Sequence, residues 1–374
     1  GIPEVIRRSF SLPCFIVQCY WPVGRMENSG NMRSLEDSCF LKIVQAPESL
    51  NPGRVQRALF SKKARQLVRR STEMVAGGGR GRGMDTVSLR QKIITKLVNE
   101  GRGMAGSFPA PPAFLDDSFT SVSLANSKVG DSFIQDTLSM RCPMLRSVNL
   151  TACFYIRDAS IEALLSRCPL VERLYLRNCR KLTGLTLEHV VRLGPNMKAV
   201  DIGGCFNINA AAVDNLCEVH PNAASFTELD ISGILVTTHT LEVVCRNCRR
   251  LEQLRMGFIE YMEATLTSNL SPLVGNLRSL HVHWNSCVTD EFLSWAVQSI
   301  PRLEDLNVCG CSKVTVDGVS DMLYERQEAL EALGNGEERA GGVNAIEKAN
   351  VRYTSLSKQD IEALQSAFQG ITFL

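Results

Sequence analysis

The chain has 374 residues, of which 44% are apolar and 21% charged, and its formal net charge is +2. This composition is typical of a soluble globular protein. No segment has the roughly 20 consecutive apolar residues that a membrane-spanning helix needs, so the sequence predicts no transmembrane segment. A chain of this length would suit two or three ordinary domains, although a repeat array can use most of it as one solenoid.

The charge is distributed unevenly along the chain. Residues 1–112 carry 18 Lys and Arg against 8 Asp and Glu, whereas residues 113–374 carry 23 against 31. The two parts therefore have net charges of +10 and −8. This asymmetry predicts an electrostatically distinct N-terminal region.

Residues 1–35 have features of a leader. The chain begins with Gly1 rather than Met, and the arginine pair at residues 7–8 is followed by an apolar run that Pro13 and Gln18 interrupt. Such a segment resembles a cleaved signal or a mitochondrial presequence. A disordered or untranslated leader ahead of Met26 is an equally good interpretation, so we expect residues 1–35 to be disordered or targeting-like.

Residues 36–112 predict a basic helical arm, a linker and a capping helix. Apolar residues from Val55 to Val68 fall near one face of a helix, and basic residues surround them. A basic amphipathic helix of this kind could contact nucleic acid, an acidic membrane or an acidic protein. It could also be exposed to solvent without a partner. The glycine-rich segment 77–83 predicts a flexible linker, and the apolar pattern of Val87–Asn99 predicts a helix that caps the end of a solenoid. The arm's basic residues are Arg54, Arg57, Lys62, Lys63, Arg65, Arg69 and Arg70.

A dinucleotide-binding fingerprint, Gly-x-Gly-x-x-Gly, occurs at residues 101–106. That motif must follow a strand and open a helix to direct backbone amides at a pyrophosphate. Here it follows a predicted helix and runs into a proline-rich stretch. We interpret it as a loop, and we predict no cofactor.

Landmark residues then return every 26 positions. In the unit from Met144 to Cys168, Val148 and Leu150 alternate with polar neighbours, as in a half-buried strand, and apolar residues at helical spacing follow up to Pro169. Each unit is thus a strand, a turn and a returning helix, and only stacking can bury its apolar side. Strand centres are predicted at Val122, Val148, Leu174, Val200, Leu229, Leu254, Leu280, Leu306 and Val351.

Two of the intervals between these centres are irregular. A small insertion at residues 223–225 lengthens one of them. A larger insertion at residues 324–349 extends a helix and adds a glycine-rich loop at residues 334–342. A last strand near Val351–Tyr353 and a helix at Lys358–Phe368 are expected to close the array of about nine repeats.

The pattern Leu-x-x-Leu-x-Leu-x-x-Cys, with a helix ending in Cys-Pro, resembles the cysteine-containing leucine-rich repeat of F-box/leucine-rich-repeat ubiquitin-ligase receptors. The resemblance covers about residues 119–374. It implies an α/β fold in which residues 113–374 form a horseshoe-shaped solenoid with parallel strands on the concave face and helices on the convex face. An F-box is expected before such repeats, opening near Leu-Pro-x-Glu, and residues 38–75 do not match it.

Ten of the 14 cysteines lie at repeat landmarks or on repeat helices, where a small buried hydrophobe is sufficient. The spacing predicts that Cys153, Cys179 and Cys205 form a buried ladder of free thiols. Such a ladder needs reducing surroundings, which favours an intracellular location: cytoplasm or nucleus, or the mitochondrion if the leader is a presequence. Cys245 and Cys248 have the spacing of half a zinc site, but no second pair follows at a suitable distance, so no metal is predicted.

The outward positions of the strands form the candidate partner-binding surface. They carry both charge signs and a tyrosine, and aromatic and arginine residues are the usual hot spots of interfaces. His281 and His283 are expected to be an exposed pair without an acidic partner. The alternative is a solvated sheet whose neighbouring charges neutralise one another. The candidate residues are Arg173, Tyr175, Arg177, Asp201, Glu228, Asp230, Arg255, His281 and His283.

Three classes of function follow from these features. A non-catalytic scaffold or assembly subunit, which binds protein partners within a larger complex, agrees best with them. A substrate receptor of a cullin-type ubiquitin ligase, with a divergent or missing F-box, is the alternative that the resemblance implies. An enzyme is not expected, because no constellation of catalytic residues is convincing.

Overall fold

The computed structural model describes residues 115, 117, 119–258, 266–273, 275–332 and 343–374. The predicted leader, the basic arm, the capping helix and the loop at residues 334–342 lie outside these residues. Within them, no helix is both long enough and apolar enough to cross a membrane.

Within the described residues, ten short strands form one parallel sheet in which the strand order follows the chain order. Each strand pairs with the next in the same register, so that Val122, Val148, Leu174 and Val200 are direct neighbours across the sheet. The strands are β1 Ser121–Ser123, β2 Ser147–Asn149, β3 Arg173–Tyr175, β4 Ala199–Asp201, β5 Glu228–Asp230, β6 Gln253–Arg255, β7 Ser279–His281, β8 Asp305–Asn307, β9 Lys348–Asn350 and β10 Thr372–Phe373.

Helices return the chain from the end of one strand to the start of the next. The first of them is interrupted by a π-helical turn at Ile134–Leu138, and short 3₁₀ turns occur at Ala223–Ser225 and Ser271–Leu273. The α-helices are α1 Asp131–Phe133, α2 Ser139–Arg141, α3 Asp158–Arg167, α4 Gly184–Leu193, α5 Ala210–Val219, α6 Thr238–Asn247, α7 Leu266–Leu270, α8 Asp290–Ser299, α9 Val316–Ala332 and α10 Lys358–Ala367.

The core lies between the sheet and the helices. The centre of each strand and the residue two positions later both face inward, because side chains alternate along a strand. Val148 and Leu150, for example, are fully buried, as are Leu164 and Leu165 of α3. The prediction of an α/β leucine-rich-repeat solenoid with parallel strands is confirmed.

The predicted cysteine ladder is also confirmed, because Cys153, Cys179 and Cys205 are buried and unpaired. Each thiol donates a hydrogen bond to a backbone carbonyl of the preceding repeat, over 3.1 Å in all three cases. Cys311 does the same over 3.3 Å, and at the equivalent position Asn285 uses its side-chain amide, over 3.0 Å. A small buried donor therefore recurs at this position, and asparagine can replace cysteine in that role. Ile234 occupies the same position in the repeat of β5 and is fully buried, so burial is the stricter requirement.

We expect the ladder thiols to react slowly with a thiol reagent in the native protein. Burial raises the pKa of Cys205 to about 12 and that of Cys311 to about 11, so little thiolate is present at neutral pH. Cys287 and Cys309 are only half-buried and should react first. Mass spectrometry after timed labelling, with a denatured sample as control, tests the order. Rapid native labelling of the ladder thiols would contradict it.

The predicted centre of the strand near Val351–Tyr353, Val351, is wrong by two residues. The strand is β9, whose centre Ala349 pairs with Leu306, and β10 follows it as a further strand that the sequence pattern does not predict. Val351 is buried at the second inward position, the equivalent of Leu150. The strand centre and the second inward position both carry an apolar residue between polar ones. The sequence pattern therefore favours the larger residue, Val351, over Ala349 as the centre.

The turn after each strand contains a residue in the left-handed region, four positions beyond the strand centre. Glycine and asparagine adopt this conformation readily, whereas a bulky L-residue there costs about 1–2 kcal/mol. The φ angles lie between 57° and 73° at Asn126, Ala152, Asn178, Gly204, Gly233, Phe258, Trp284, Gly310 and Tyr353. Three repeats near the C-terminus thus place an aromatic residue where the others have a small or flexible one.

Candidate functional site: the polar face of the sheet

One face of the sheet lies opposite the helices. Each repeat contributes three residues to it: those directly before and after the buried strand centre, and the residue three positions after that centre. We call this surface the sheet face. All nine predicted partner-binding residues lie on it, between β3 and the turn that follows β7. The structure brings most of them together in ion pairs that connect one strand with the next.

The first cluster consists of Arg177, Asp201 and Asp230. The guanidinium of Arg177 lies 3.4 Å from a carboxylate oxygen of Asp201 and forms a closer ion pair with Asp230. The carboxylate of Asp201 also accepts a hydrogen bond from the backbone N–H of Gly203, and that of Asp230 accepts one from Ser232. One arginine therefore bridges two carboxylates from different repeats.

The prediction that both aspartates are accessible is wrong. Asp230 is 0% exposed and Asp201 only 6%. The guanidinium of Arg177 covers both aspartates. It can do so because Gly203 has no side chain: a Cβ on Gly203 would lie 3.1 Å from the guanidinium. Burial raises the pKa of Asp201, and the charge of Arg177 opposes this effect.

The second cluster joins Tyr175, Glu228 and Arg255. The Tyr175 hydroxyl donates a hydrogen bond to Glu228 over 3.1 Å, and the guanidinium of Arg255 pairs with the other Glu228 oxygen at 2.8 Å. Burial, followed by the Glu228 charge, raises the pKa of Tyr175 to about 12. The phenol thus stays protonated at neutral pH and acts as a donor that holds the carboxylate in place.

The predicted exposed histidine pair is also wrong. His281 is largely buried, and its Nε2 lies 3.1 Å from a carboxylate oxygen of Asp305, which also accepts a hydrogen bond from Ser279. Burial tends to raise the pKa of Asp305, but the hydrogen bond and charge of His281 outweigh this and lower it. The sequence does not indicate this partner because it lies in the next repeat, 24 residues away.

His283 lies on the backbone of Gly257, where a Cβ would be 2.2 Å from the imidazole. Burial, followed by the charges of His281, Arg177 and Arg255, lowers the pKa of His283 to about 4. The ring is therefore neutral at physiological pH. Its Nδ1 is buried and has no hydrogen-bond partner among the described residues.

Arg173 differs from the other predicted residues. Its side chain is exposed and makes no ion pair within the ranges that the structure covers, although it lies next to the half-buried Tyr175 on β3. Lys348 and Arg352, at the other end of the sheet face, are likewise exposed and are not among the predicted site residues. The part of the chain that the structure describes contains no group of three or more His, Cys, Asp or Glu side chains placed to hold a metal ion.

The fold and this surface define the class of protein: a leucine-rich-repeat solenoid with a polar, internally ion-paired sheet face. No protein-family model matches the sequence, and no curated protein matches it. Among solved structures, the chain is similar to one from the complex of Rad7 and Elc1 in yeast, with 17% identity, coverage of 91% of this chain and 86% of that one, and a TM-score of 0.47. It is also similar to the leucine-rich repeat-containing protein LegL7 from Legionella pneumophila, with 15% identity, coverage of 72% and 87%, and a TM-score of 0.43.

Proposed function

We propose that the chain is a non-catalytic interaction scaffold, an intracellular subunit of a larger complex, which binds a protein partner through the sheet face between β3 and β7. The observation that supports this most directly is the pair of ion-paired clusters, around Arg177 and around Glu228, that fix side chains from consecutive repeats. Interface residues that are already fixed lose less conformational entropy on binding.

Within this surface, Tyr175 and Arg173 are the best candidate contact residues. The Tyr175 ring is held by its hydrogen bond to Glu228, and the neighbouring Arg173 side chain is exposed. Tyrosine and arginine are both enriched among the residues that dominate binding energy at interfaces. Asp201 and Asp230, by contrast, are buried and serve to position Arg177.

The arrangement of Ser279, His281 and Asp305 supports the non-catalytic proposal. In a nucleophilic triad the imidazole lies between the hydroxyl and the carboxylate, so that it can remove the hydroxyl proton. Here Asp305 lies in the middle and contacts both Ser279 and His281. The Ser279 hydroxyl therefore donates its hydrogen bond to Asp305 rather than to the imidazole of His281. This arrangement is typical of a structural hydrogen-bond network.

The ubiquitin-ligase receptor remains the second candidate, because the repeat pattern resembles that of such receptors. An adaptor would have to bind N-terminal to the repeats, and residues 38–75 lack the expected F-box opening. The basic arm around residues 54–70 is a further candidate contact, for nucleic acid or an acidic surface. Removal of residues 1–83 should then weaken binding more at low salt than at high salt.

Affinity purification of the full chain, followed by binding measurements with the recovered partner, tests the proposal. We expect Tyr175→Ala and Arg173→Ala each to weaken binding by roughly 30-fold, about 2 kcal/mol, without changing the melting temperature by more than a few degrees. Tyr324→Ala, which removes an exposed tyrosine of α9, serves as control. Unchanged affinity in both variants would rule out this surface. Recovery of a cullin and a Skp-type adaptor would favour the receptor instead.

A further inference from the structure

Three exposed aromatic side chains form a stack at one edge of the sheet. The rings of Phe258 and Trp284 have centroids 5.9 Å apart and planes within 12°, and those of Trp284 and Tyr353 are 6.0 Å apart and within 26°. The exposed fractions are 52%, 47% and 74%, respectively. These residues occupy the left-handed turn position, where asparagine or glycine is found in most other repeats.

The stack depends on a glycine between its members. Trp284 lies in the turn after β7 and Tyr353 in the turn after β9. The turn after β8 therefore lies between the two rings. Gly310 occupies the intervening turn, and a Cβ there would lie 2.3 Å from the indole of Trp284. The absence of a side chain at this one position allows the three rings to form a continuous row.

Other large apolar side chains are exposed along the same edge, in the turns that lead from a strand into the following helix. The phenyl ring of Phe206 packs against the backbone of Gly233. A Cβ on this glycine would lie 3.2 Å from the ring. We call this set the aromatic rim. It consists of Phe154, Tyr155, Phe206, Leu235, Phe258, Trp284 and Tyr353.

The charged groups along the rim leave an excess of free positive charge. Arg180 lies 5.8 Å from the ring centre of Phe154, and Lys181 lies 5.5 Å from that of Tyr155. Lys313 and Arg352 are exposed and form no ion pair in the described part of the chain. The carboxylates of Asp158 and Asp290 accept hydrogen bonds from the backbone and hydroxyl of Thr183 and Thr315. These neutral donors leave both negative charges in place, so the four cations exceed these two carboxylates.

The way the rings pack helps to identify the ligand. Nucleobases bind aromatic side chains through free ring faces. Here the two faces of Trp284 are covered by Phe258 and Tyr353, so the row presents mainly ring edges and a ridge of apolar surface. The spacing of about 6 Å is close to the 5.4 Å pitch of an α-helix. Apolar side chains at positions i and i+4 of a helix would therefore meet successive rings.

We propose that the aromatic rim is a second interaction surface, which binds an acidic amphipathic helix of a partner protein. The apolar face of the helix packs on Phe258, Trp284 and Tyr353, and its carboxylates face Lys313 and Arg352. The rim adjoins the sheet face, since Phe258 packs edge-on against His283, 5.4 Å between ring centres, and Arg352 lies at the far end of that face. Trp284 and Tyr353 belong only to the rim, and Arg173 and Tyr175 only to the sheet-face site, so variants at these residues distinguish the failure of one site from that of the other.

A displayed library of random 16-residue peptides, selected against the full chain, tests the proposal, because the selection itself identifies the ligand. Recovered peptides are synthesised with a fluorescent label, and their affinities are measured by anisotropy. Trp284→Asn and Tyr353→Asn are suitable variants because asparagine occupies the same turn position at Asn126 and Asn178. Tyr324→Asn on α9 and Arg302→Glu, an exposed charge reversal just before β8, are the matched controls, and circular dichroism verifies folding.

We expect the recovered peptides to combine acidic residues with apolar residues at i and i+4. Trp284→Asn, Tyr353→Asn and Arg352→Glu should each weaken their binding at least tenfold, added salt should weaken it further, and the controls should leave it unchanged. Recovery of no peptide, or of peptides that are neutral or insensitive to the rim variants, would overturn the proposal. Two other results would also overturn it. If the chain binds a 20-nucleotide oligothymidine and Trp284→Asn abolishes that binding, the ligand is nucleic acid. If the chain dimerises with increasing concentration and Trp284→Asn abolishes the dimer, the ligand is a second copy of the chain.

Discussion

Replacement of Asp230 by alanine is expected to lower the free energy of unfolding by about 3 kcal/mol, because it removes the buried partner of the partly exposed Arg177 and leaves the backbone N–H of Ser232 without its acceptor. The carboxylate is fully buried, pairs with Arg177 and accepts the backbone N–H of Ser232. Without it, the guanidinium retains only the longer contact to Asp201. Urea denaturation monitored by circular dichroism measures the loss.

A second variant separates the charge effect from the loss of packing. When both members of a buried pair are replaced by apolar residues of similar size, the cost is often small. The double variant Arg177→Met/Asp230→Leu should therefore be more stable than Asp230→Ala alone. Asp317→Ala, at an exposed position on α9, is the matched control and should change stability by less than about 0.5 kcal/mol. Equal stability of Asp230→Ala and this control would show that the ion pair contributes nothing.

Replacement of Leu176 by aspartate should have the largest effect, about 4 kcal/mol or more, because it places an unpaired charge in the packed core. Leu176 is fully buried directly after β3, and its backbone N–H donates to Asp201 of the next repeat. In a solenoid each repeat contacts mainly its neighbours, so the damage should be greatest from β2 to β4.

Hydrogen exchange read by mass spectrometry can detect this local unfolding. Peptides that contain β2, β3 and β4 should lose protection, whereas those around α9 and β9 should retain most of theirs. Leu185→Asp provides the control, since Leu185 is exposed near the N-terminus of α4, where a negative charge is tolerated. Uniform loss of protection over the whole chain would show that the array unfolds as a single unit.

The sheet face differs in role from what the sequence predicts. Arg173, Tyr175 and Arg255 remain candidate contact residues, but Asp201 and Asp230 are structural, and His281 belongs to a network with Asp305. Their binding roles remain predictions until a partner is available. The aromatic rim adds a second surface whose residues no sequence pattern singles out.

The features that repeat within each unit were predictable from the amino-acid sequence alone. Period-two alternation placed the strand centres from Val122 to Leu306, helical spacing placed the returning helices, and the 26-residue interval placed the cysteine ladder. These features were predictable because each depends on which way a side chain faces within its own repeat, and apolar residues report that direction. The predicted centre at Val351 is misplaced by two residues, since both inward positions satisfy the same pattern.

The side-chain contacts between repeats, by contrast, are visible only in the folded chain. Tyr175 reaches Glu228 and Arg177 reaches Asp230, both over 53 residues, and Trp284 reaches Tyr353 across the repeat that contains β8. Such contacts depend on strand register, on insertions such as the one at residues 223–225, and on the missing side chains of Gly203, Gly257 and Gly310. No periodic pattern encodes them, because they arise from the space between stacked units rather than from the direction a residue faces.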